Sequence, residues 1–545
     1  MKFFKSIFVL SIAIALTSCS SVSKIPVPQP LNNTVTLSAK KAPLTEDQKK
    51  NWAHADLVTD TIPGMSLDKA YKFLEGKKST TVIVGVVDSG ADIEHEDLQG
   101  NVWTNPKEIA GNGIDDDKNG FIDDIHGWNF LGKTLHENIE LTRLLKKLKP
   151  RFDGKAEADI AEAHKKDFAQ YQEMNKVFEA KQKGLTPQKK YIDMMVDGYN
   201  SLKKALNKED LNQADLEAFK TEDADLISVK NLIINNVFKR GADIKGLIGY
   251  KDYLDGQLNY YYNLDFNGRK QGDNYEINIP KIYGDAHVIG DKSIEQHSTH
   301  VSGIIAAVRN NGKGMNGVAT NVKIMAVRTV PEGDEYDKDV ANGIRYAVDN
   351  GAKVINMSFG KGYSPQSQWV YDAIKYAASK DVLLVHAAGN DAADNDKVGN
   401  FPNDAPDWKT EISDNLITIG AMSSNYDEKL PASFSNYGKL NVDIFAPGVK
   451  IYSTIPNNKY EYFNGTSMAS PEVAGIAAII RSYYPKLSAS QVKHILMNSG
   501  LKIEKDVLLP GGKGAKVPFA DLSVTGRIVN AYNAVRMADQ MVNGK

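Results

Sequence analysis

This 545-residue chain shows two patterns of apolar and polar positions, each in a different part of the sequence. The first consists of short apolar runs, such as the run from Thr81 to Val87, that alternate with stretches long enough for helices. Runs rich in β-branched residues are typical of strands buried on both faces, and their alternation with helices predicts a parallel sheet covered on both sides. Strands are predicted at 81–87, 321–328, 353–358, 381–387, 415–420 and 442–446, and helices at 298–309, 339–349, 369–379, 467–484, 489–499 and 527–541.

The second pattern runs from about residue 131 to residue 255, where apolar residues recur at helical spacing among many charged residues. It predicts amphipathic helices with solvated outer faces. These helices are expected at 141–149, 159–171, 192–202 and 226–234. The predicted fold class is therefore α/β, a mainly parallel sheet with helices on both faces, interrupted by an all-helical insertion at 131–255. The insertion carries no catalytic motif, and its sequence leaves open a lid over a cleft, a docking surface for a protein partner, or a spacer.

Composition places the chain among globular proteins, with 42% hydrophobic and 25% charged residues. The formal net charge is −2 and the pI is about 6.6, so no nucleic-acid partner is expected. Cys19 is the only cysteine, so the chain forms no internal disulfide. Its stability is expected to come from core packing, with a bound metal as a further source.

Cys19 also ends a short apolar run that follows two lysines. The run is too short to span a membrane comfortably and is typical of a secretion signal. Its Leu-Thr-Ser-Cys ending resembles the lipobox of bacterial lipoproteins, which implies a signal peptide at 1–18, lipidation of Cys19, and a lipid-anchored tether at 19–50. An ordinary signal peptide is the alternative. Both interpretations predict a location outside the cytoplasm. The residues after Cys19 lack the acidic run of surface-export signals in Bacteroidetes-type lipoproteins, which favours a membrane-anchored lipoprotein that faces the periplasm.

Four polar residues fall where catalysis is expected in such a sheet, at the carboxyl ends of the strands. Asp88 follows the first strand, and Asn390 lies just beyond another. His297 and Ser467 each stand where a helix begins, at the same edge. Each residue also has a simpler interpretation, with Ser467 as a helix cap and Asp88 and Asn390 as turn residues beside glycines.

These residue types suit acyl transfer. A serine hydroxyl is a weak nucleophile that needs a base, and histidine fills that role near neutral pH. A carboxylate holds the imidazole in its working tautomer and stabilises the imidazolium. The backbone N–H at a helix start and an asparagine side chain can both donate to the oxyanion of the tetrahedral intermediate.

Four motifs together resemble the subtilisin-like serine peptidases, the subtilases. They occur in the family's order: DSG at 88–90, HSTHVSG at 297–303, AAGN at 387–390 and GTSMASP at 465–471. The resemblance implies a subtilisin-like peptidase domain built from 51–130 and 256–545, with the insertion between these two parts.

The same resemblance implies a role for each matching residue. Ser467 would be the nucleophile and His297 the base. Asp88 would orient that base, and Asn390 would donate to the oxyanion. His300 matches a second histidine that is structural in the family, so no catalytic role is expected for it.

Subtilases bind an extended peptide as an added strand between two edge segments. One edge corresponds here to Ser358, Phe359 and Gly360. The wall of the pocket for the residue before the scissile bond corresponds to Ala387, Ala388 and Gly389. Because these side chains are small, an apolar or aromatic residue is expected in that pocket.

The chain departs from the family pattern at three points. The residue after the catalytic histidine is usually glycine, but here it is Ser298. Asp88 and His297 stand 209 positions apart, far more than in compact subtilases, and the insertion fills most of that distance. No segment resembles the usual inhibitory pro-domain.

An acidic turn after residue 110 resembles a calcium loop. Asp115, Asp117, Asn119 and Asp123 match oxygen-ligand positions among the first nine of an EF-hand loop. The twelfth position, normally a bidentate glutamate, is His126, so another segment would have to supply that oxygen. These four residues are the predicted structural calcium site, and a solvated turn is the alternative. No cofactor is expected for catalysis.

The leading hypothesis is a membrane-anchored serine endopeptidase that cleaves proteins or peptides through an acyl-enzyme. The rival is a weakly active or inactive subtilase-fold protein that binds partners through its insertion, and Ser298 is the feature that favours it. A third hypothesis is a metal- or carboxylate-dependent hydrolase built on the acidic turn.

Overall fold

The computed structural model describes residues 26–34, 37, 40, 42–270, 272–277 and 282–544. Cys19 and the predicted signal peptide lie outside these residues. The strands are β1 (Val82–Asp88), β2 (Gly127–Asn129), β3 (Val322–Arg328), β4 (Val354–Met357), β5 (Leu383–Ala387), β6 (Leu416–Met422), β7 (Ile444–Pro447), β8 (Ile451–Ile455), β9 (Lys459–Phe463), β10 (Leu501–Lys502), β11 (Asp506–Leu508), β12 (Lys516–Pro518) and β13 (Arg527–Ile528).

The helices cover both faces of the sheet and form a separate group after β2. They are α1 (Glu46–Asn51), α2 (Leu57–Asp60), α3 (Leu67–Leu74), α4 (Glu140–Phe152), α5 (Lys165–Leu206), α6 (Gln213–Ala218), α7 (Ala224–Asn236), α8 (Ile244–Gly256), α9 (His297–Ala306), α10 (Asp337–Asp349), α11 (Ser367–Ser379), α12 (Thr466–Tyr483), α13 (Ala489–Ser499) and α14 (Ala531–Asn543). Among the described residues, no helix is both long enough and apolar enough to cross a bilayer.

The nine-stranded sheet has the order β10-β13-β7-β6-β5-β4-β1-β3-β2. All its pairings are parallel except the one between β10 and β13. The α/β fold class predicted from the sequence is confirmed. Each of the six predicted strands is present, with ends within two residues of the expected ones. The short strands β2 and β10–β13 and the β8–β9 hairpin were not predicted, because runs of two to five residues carry little periodicity.

Close packing of α12 against the sheet explains its small residues. Its side chains belong to the same buried cluster as Val84 in β1, Val354 in β4 and Ile419 in β6. A Cβ atom on Gly475 would lie 2.5 Å from the Cβ of Val318, so that position has no room for a larger residue. The tight core holds the beginning of α12 in a fixed place at the edge of the sheet.

Five helices, α4 to α8, form the helical segment, defined here as Glu140–Gly256. The sequence predicted two helices where the single 42-residue α5 runs. That prediction was wrong because no residue of α5 is buried between Phe178 and Ile192, which interrupts the apolar spacing but not the helix. The first half of α5 packs with α4, and its second half packs with α7 and α8.

The helical segment joins the sheet domain through a buried group of charges. Lys361 Nζ lies 2.8 Å from Glu140 Oε2 and 2.9 Å from Asp337 Oδ1. Arg143 Nη2 lies 2.5 Å from Glu140 Oε2 and donates to the carbonyl of Glu335 at 2.9 Å. Burial raises the pKa of Glu140, but the charges of Arg143 and Lys361 outweigh it and lower that pKa to about 2. The junction cluster comprises Glu140, Arg143, Asp334, Glu335, Asp337 and Lys361.

Residues 26–34 lie against the opposite edge of the sheet. The Leu31 N–H donates to the Asn498 carbonyl at 2.9 Å. Arg527 donates to the Leu31 carbonyl at 2.8 Å and to Asn33 Oδ1 at 2.7 Å. Part of the segment predicted as a tether at 19–50 therefore packs on α13 and β13.

Candidate active site

The fold brings two of the predicted catalytic residues into direct contact. Asp88 is the last residue of β1 and His297 is the first residue of α9. His297 Nδ1 lies 2.7 Å from Asp88 Oδ1, a normal charge-assisted hydrogen bond. The two residues are 209 positions apart in the chain, so the insertion does not disturb their contact.

Asp88 is 1% exposed and is fixed by backbone groups around it. Its Oδ1 accepts the N–H of Ser89 at 2.7 Å, and its carbonyl accepts the N–H groups of Thr329 and Val330 at 2.8 and 3.1 Å. Its Oδ2 is buried and has no hydrogen-bond partner among the described residues. The carboxylate is therefore held in place and aimed at a single strong partner, His297.

The electrostatics of His297 follow from that contact. Burial lowers its pKa, but the charge of Asp88 and the hydrogen bond to it outweigh burial and raise the pKa above its ordinary value of 6.5. The side chain remains 37% exposed on the cleft side. The ring is thus more basic than a free imidazole and open to a ligand, as a general base requires.

Ser467 stands in the first turn of α12, at the same edge of the sheet. Its Oγ donates to the carbonyl of Ser358 at 2.9 Å. Among the described residues, Ser467 Oγ makes no hydrogen bond to His297. The fold therefore places Ser467 at the site, but the hydrogen bond between the serine and the histidine is not formed. The Ser467 carbonyl in turn accepts the hydroxyl of Ser358 at 2.9 Å, which ties α12 to the end of β4.

Asn390 is exposed three residues beyond the end of β5. Its Oδ1 accepts the backbone N–H of Thr466 at 2.9 Å and the Thr466 hydroxyl at 3.1 Å. These two contacts use the acceptor end of the amide. They leave the Nδ2 donor next to the helix start that carries the Ser467 N–H, as an oxyanion site needs.

A cavity of about 240 Å³ opens beside His297 and Asp88. Ser358, Phe359 and Gly360 line it, as expected for a substrate edge. The predicted pocket wall lies outside this lining. Ala387 and Ala388 are buried at the end of β5, and Gly389 has a φ of +104° with no space for a side chain against Asn436.

The cavity also contains residues that the sequence did not assign to the site. They are Ser89, Tyr261, Ile294, Glu295, Val330, Pro331, Glu332, Gly333 and Glu335. Tyr261 ends a short π-helix after α8 and donates to Glu332 Oε1 at 2.6 Å. The tyrosine-rich stretch around it was visible in the sequence, but only the fold places it in the cleft.

The Ser298 departure is accommodated without disturbing the base. Ser298 is fully buried, and its hydroxyl has no hydrogen-bond partner among the residues described. Its N–H donates to Ser89 Oγ at 3.2 Å. The extra hydroxymethyl group therefore points into the protein, and the bond between His297 and Asp88 keeps its normal length.

His300 lies one helical turn after His297 and faces away from the cleft. Its ring stacks on Phe463 with centroids 4.3 Å apart, and its Nε2 lies 3.1 Å from the carbonyls of Ile451 and Glu461. Burial lowers its pKa to about 3, so it is neutral. These contacts tie the β8–β9 hairpin to α9.

The acidic turn brings together a different set of oxygens from the predicted one. Glu108, Asp115 and Asp117 each place one carboxylate oxygen within 4.8 Å of the others. Asn119 Oδ1 accepts the N–H of Phe121 at 2.7 Å. Asp123 uses both oxygens on the N–H groups of Gly111 and Gly113, at 2.8 and 2.9 Å. Glu108 supplies a third carboxylate that the loop pattern could not indicate.

Comparison with known proteins decides the family. The model of the subtilase family matches residues 79–515. The chain belongs to the subtilase family. Subtilases are serine endopeptidases that act on proteins or peptides and need no catalytic cofactor.

Three relatives show how far the likeness extends. Thermitase from Thermoactinomyces vulgaris is 39% identical over 261 residues, which is 47% of this chain and 82% of thermitase. Subtilisin DY from Bacillus licheniformis is 38% identical over 230 residues, 41% of this chain and 78% of that protein. A thermophilic serine proteinase from Bacillus sp. (strain AK1) is 42% identical over 190 residues, but the match spans 35% of this chain and only 43% of that proteinase.

Proposed function

We propose that this subtilase is a serine endopeptidase that works through Asp88, His297 and Ser467 and acts outside the cytoplasm. The observation that carries the proposal is the 2.7 Å hydrogen bond between Asp88 and His297, at the sheet edge where Ser467 lies in the first turn of α12. The family membership supports the same chemistry.

His297 takes the proton of the Ser467 hydroxyl as the oxygen attacks the scissile carbonyl. Asp88 holds the ring by Nδ1 and stabilises the imidazolium that forms. His297 then gives the proton to the leaving amine, which leaves an acyl-enzyme on Ser467. Water, activated by the same histidine, hydrolyses the acyl-enzyme. The attack requires the Ser467 hydroxyl to leave the Ser358 carbonyl and turn towards His297.

The oxyanion of each tetrahedral intermediate is stabilised from two sides. The Ser467 N–H lies in the first turn of α12, where backbone N–H groups have no intrahelical acceptor and the helix dipole is positive. The Nδ2 of Asn390 is the second donor. The contacts of Thr466 with Asn390 Oδ1 keep the amide turned in that direction before substrate arrives.

A fluorophosphonate probe tests this function, because it labels only an activated serine. Wild-type protein should label, and Ser467→Ala should not, with hydrolysis of casein reduced about 10⁶-fold, the scale seen when a catalytic serine of this kind is removed. Ser298→Gly, the usual family residue, is the matched control and should label. Folded wild type that neither labels nor cleaves casein would overturn the proposal, as would activity that survives Ser467→Ala.

The second candidate function is binding without efficient catalysis, with partners held by the helical segment. The observation that favours it is the hydrogen bond from Ser467 Oγ to the Ser358 carbonyl instead of to His297. A protein in which that bond is permanent would bind peptides and fail to label. The same fluorophosphonate experiment therefore separates the two functions.

A structural calcium ion fits the acidic turn. Carboxylate oxygens are the ligands that calcium prefers, and Glu108, Asp115 and Asp117 bring three of them together. Asp115 and Asp117 belong to the predicted set, and like Asn119 and Asp123 they also accept backbone N–H groups within the turn. Calcium at 100 times its dissociation constant would add about 2.7 kcal/mol of stability. Melting with calcium or with excess chelator should differ in wild type and coincide in Glu108→Gln; equal wild-type curves would refute the site.

Lipidation of Cys19 and a periplasm-facing location complete the proposal. They rest on the lipobox-like ending of the N-terminal apolar run. Metabolic labelling with a palmitate analogue should mark wild type and not Cys19→Ala, and only the wild type should remain with the membrane fraction. Recovery of unlabelled wild type in the soluble fraction would contradict the anchor.

A further inference from the structure

The junction cluster contains more buried carboxylates than cations. Glu140, Glu335 and Asp337 are buried and Asp334 is half-buried, and the cations of the cluster are Arg143 and Lys361. A neighbouring buried network is balanced, with Arg269 and Lys338 bound to Asp273 and Asp339. Buried charges are normally paired, because an unpaired charge in a protein interior is costly. Glu335 is the buried carboxyl group of the cluster that has no cation within ion-pair distance among the described residues.

Glu335 is the member of the cluster that reaches the cleft. It is 2% exposed, and its Oε1 has no hydrogen-bond partner among the described residues. It lines the cavity beside His297, together with Gly333 and Gly360. Lys361, by contrast, is directed to Glu140 and Asp337 and reaches only the backbone carbonyl of Glu335.

The other acidic side chains of the cavity are already engaged or add to the negative charge. Glu295 is paired with the buried Arg328, with Nε and Oε1 2.5 Å apart. Glu332 accepts a neutral donor, the Tyr261 hydroxyl, and forms no ion pair with a lysine or arginine among the described residues. Among the described residues, no lysine or arginine lines this cavity.

With Ser358–Gly360 as the expected substrate edge and Ala387 in the expected pocket wall, the cavity falls on the acyl side of the expected scissile bond. β4 ends at Met357, just before the lining residue Ser358, and Met357 pairs with His386 in β5. The predicted wall for the residue before the scissile bond follows at once, at Ala387. The backbone of Glu332 is already paired with Leu135 and Glu137, whereas Gly333 lines the cavity and makes no backbone hydrogen bond within the described residues. An extended peptide between Gly333 and Gly360 therefore places upstream side chains next to Glu335.

We infer that Glu335 selects substrates with a lysine or arginine upstream of the scissile bond, within four residues of it. The inference rests on the proposed peptidase function and names its substrate class. In the free protein, burial raises the pKa of Glu335 to about 8, with Lys361 opposing and Asp334 and Asp337 adding to the rise. A substrate cation supplies the missing partner and favours the ionised carboxylate.

The test uses the folded full chain and fluorogenic peptides that share a phenylalanine before the scissile bond. Lysine, norleucine or glutamate is placed in turn at the second, third and fourth upstream positions. At one of these positions, lysine should raise kcat/KM about tenfold over norleucine, with glutamate below both. Glu335→Gln should bring the ratio of lysine to norleucine close to one. Glu173→Gln, which removes an exposed carboxylate of α5, should preserve it.

Fluorophosphonate labelling of every variant separates the possible failures. Labelled wild type with a ratio near one at all three positions overturns the inference and leaves the proposed function intact. A lysine preference that persists in labelled Glu335→Gln also overturns it. No labelling and no hydrolysis by wild type overturns both. If Glu335→Gln does not fold, Glu335→Met takes its place, since it fills a similar volume without charge.

Discussion

The helices α12 and α5 show how differently two regions of one chain are specified. Sixteen of the 18 residues of α12 are buried, whereas nine of the 42 residues of α5 are. α12 is surrounded by strands and by α9, so nearly every position must fit its neighbours. α5 needs only an apolar stripe on one side, and most of its surface is in solvent. We therefore expect α12, which carries Ser467, to tolerate fewer substitutions than the exposed surface of α5.

The largest expected effect comes from a substitution that disrupts the junction cluster between these two regions. Lys361→Met removes one of two cations from the junction cluster and leaves buried carboxylates without a partner, which should destabilise the protein by about 3–5 kcal/mol. Chemical denaturation measures the change. Lys353→Met, at a lysine outside the junction cluster, is the matched control and should change stability by less than about 0.5 kcal/mol. An equal effect of both substitutions would show that the cluster does not join the two regions.

A second prediction tests the α/β region alone. Asn390→Ala removes an oxyanion donor and should lower kcat by about 10²–10³-fold, the size known for the corresponding donor in a subtilisin, a relative of this chain. The free energy of unfolding should change little because Asn390 is exposed. Steady-state kinetics with a peptide substrate measure the loss. A change confined to KM would show that Asn390 contacts substrate without stabilising the oxyanion.

The third prediction compares the two regions at matched core positions. Ile233 in α7 and Ile476 in α12 are both fully buried. Ile233→Ala and Ile476→Ala should each cost about 2–4 kcal/mol through lost burial and the cavity left behind. Only the change in α12 should also lower kcat/KM, because that helix positions Ser467. Equal losses of activity would mean that the helical segment shapes the catalytic site directly.

The smallest effect is a dependence on pH. His297 must be neutral to accept a proton, and its pKa is raised above 6.5, so kcat/KM should fall about tenfold per pH unit below that raised pKa. In Asp88→Asn the midpoint should move down, because only the charge of Glu332, the smallest of the contributions, then opposes burial. The same shift stabilises the fold below pH 6.5, and this contribution is lost as pH rises through the raised pKa. A profile with the same midpoint in both proteins would contradict the assignment of His297.

The sequence was informative where one residue type has one chemical use in one place. Asp88 at a strand end and Ser467 at a helix start were recognisable, because parallel strands deliver their carboxyl ends to one edge. Contacts made by tertiary structure alone were not recognisable. Glu335 and Tyr261 enter the cleft only because the junction cluster and the π-helix place them there, and no local pattern encodes either contact. Glu108 joins Asp115 and Asp117 for the same reason.

The contacts of Leu31 and Asn33 with Arg527 place the first described residues of the chain beside β13. The helical segment leaves the sheet after β2, at the other end of the strand order and seven strand spacings from β13, or roughly 34 Å away. The described chain therefore begins on the β13 side of the sheet, where Asn498 donates to the Pro28 carbonyl and Arg527 to the Leu31 carbonyl. The helical segment stands at the β2 end of the strand order. The catalytic residues at the end of β1 lie nearer to that end than to β13. With the lipid anchor that we propose at Cys19, the distance between the membrane and the helical segment limits which partners the segment can bind, in addition to its affinity for them.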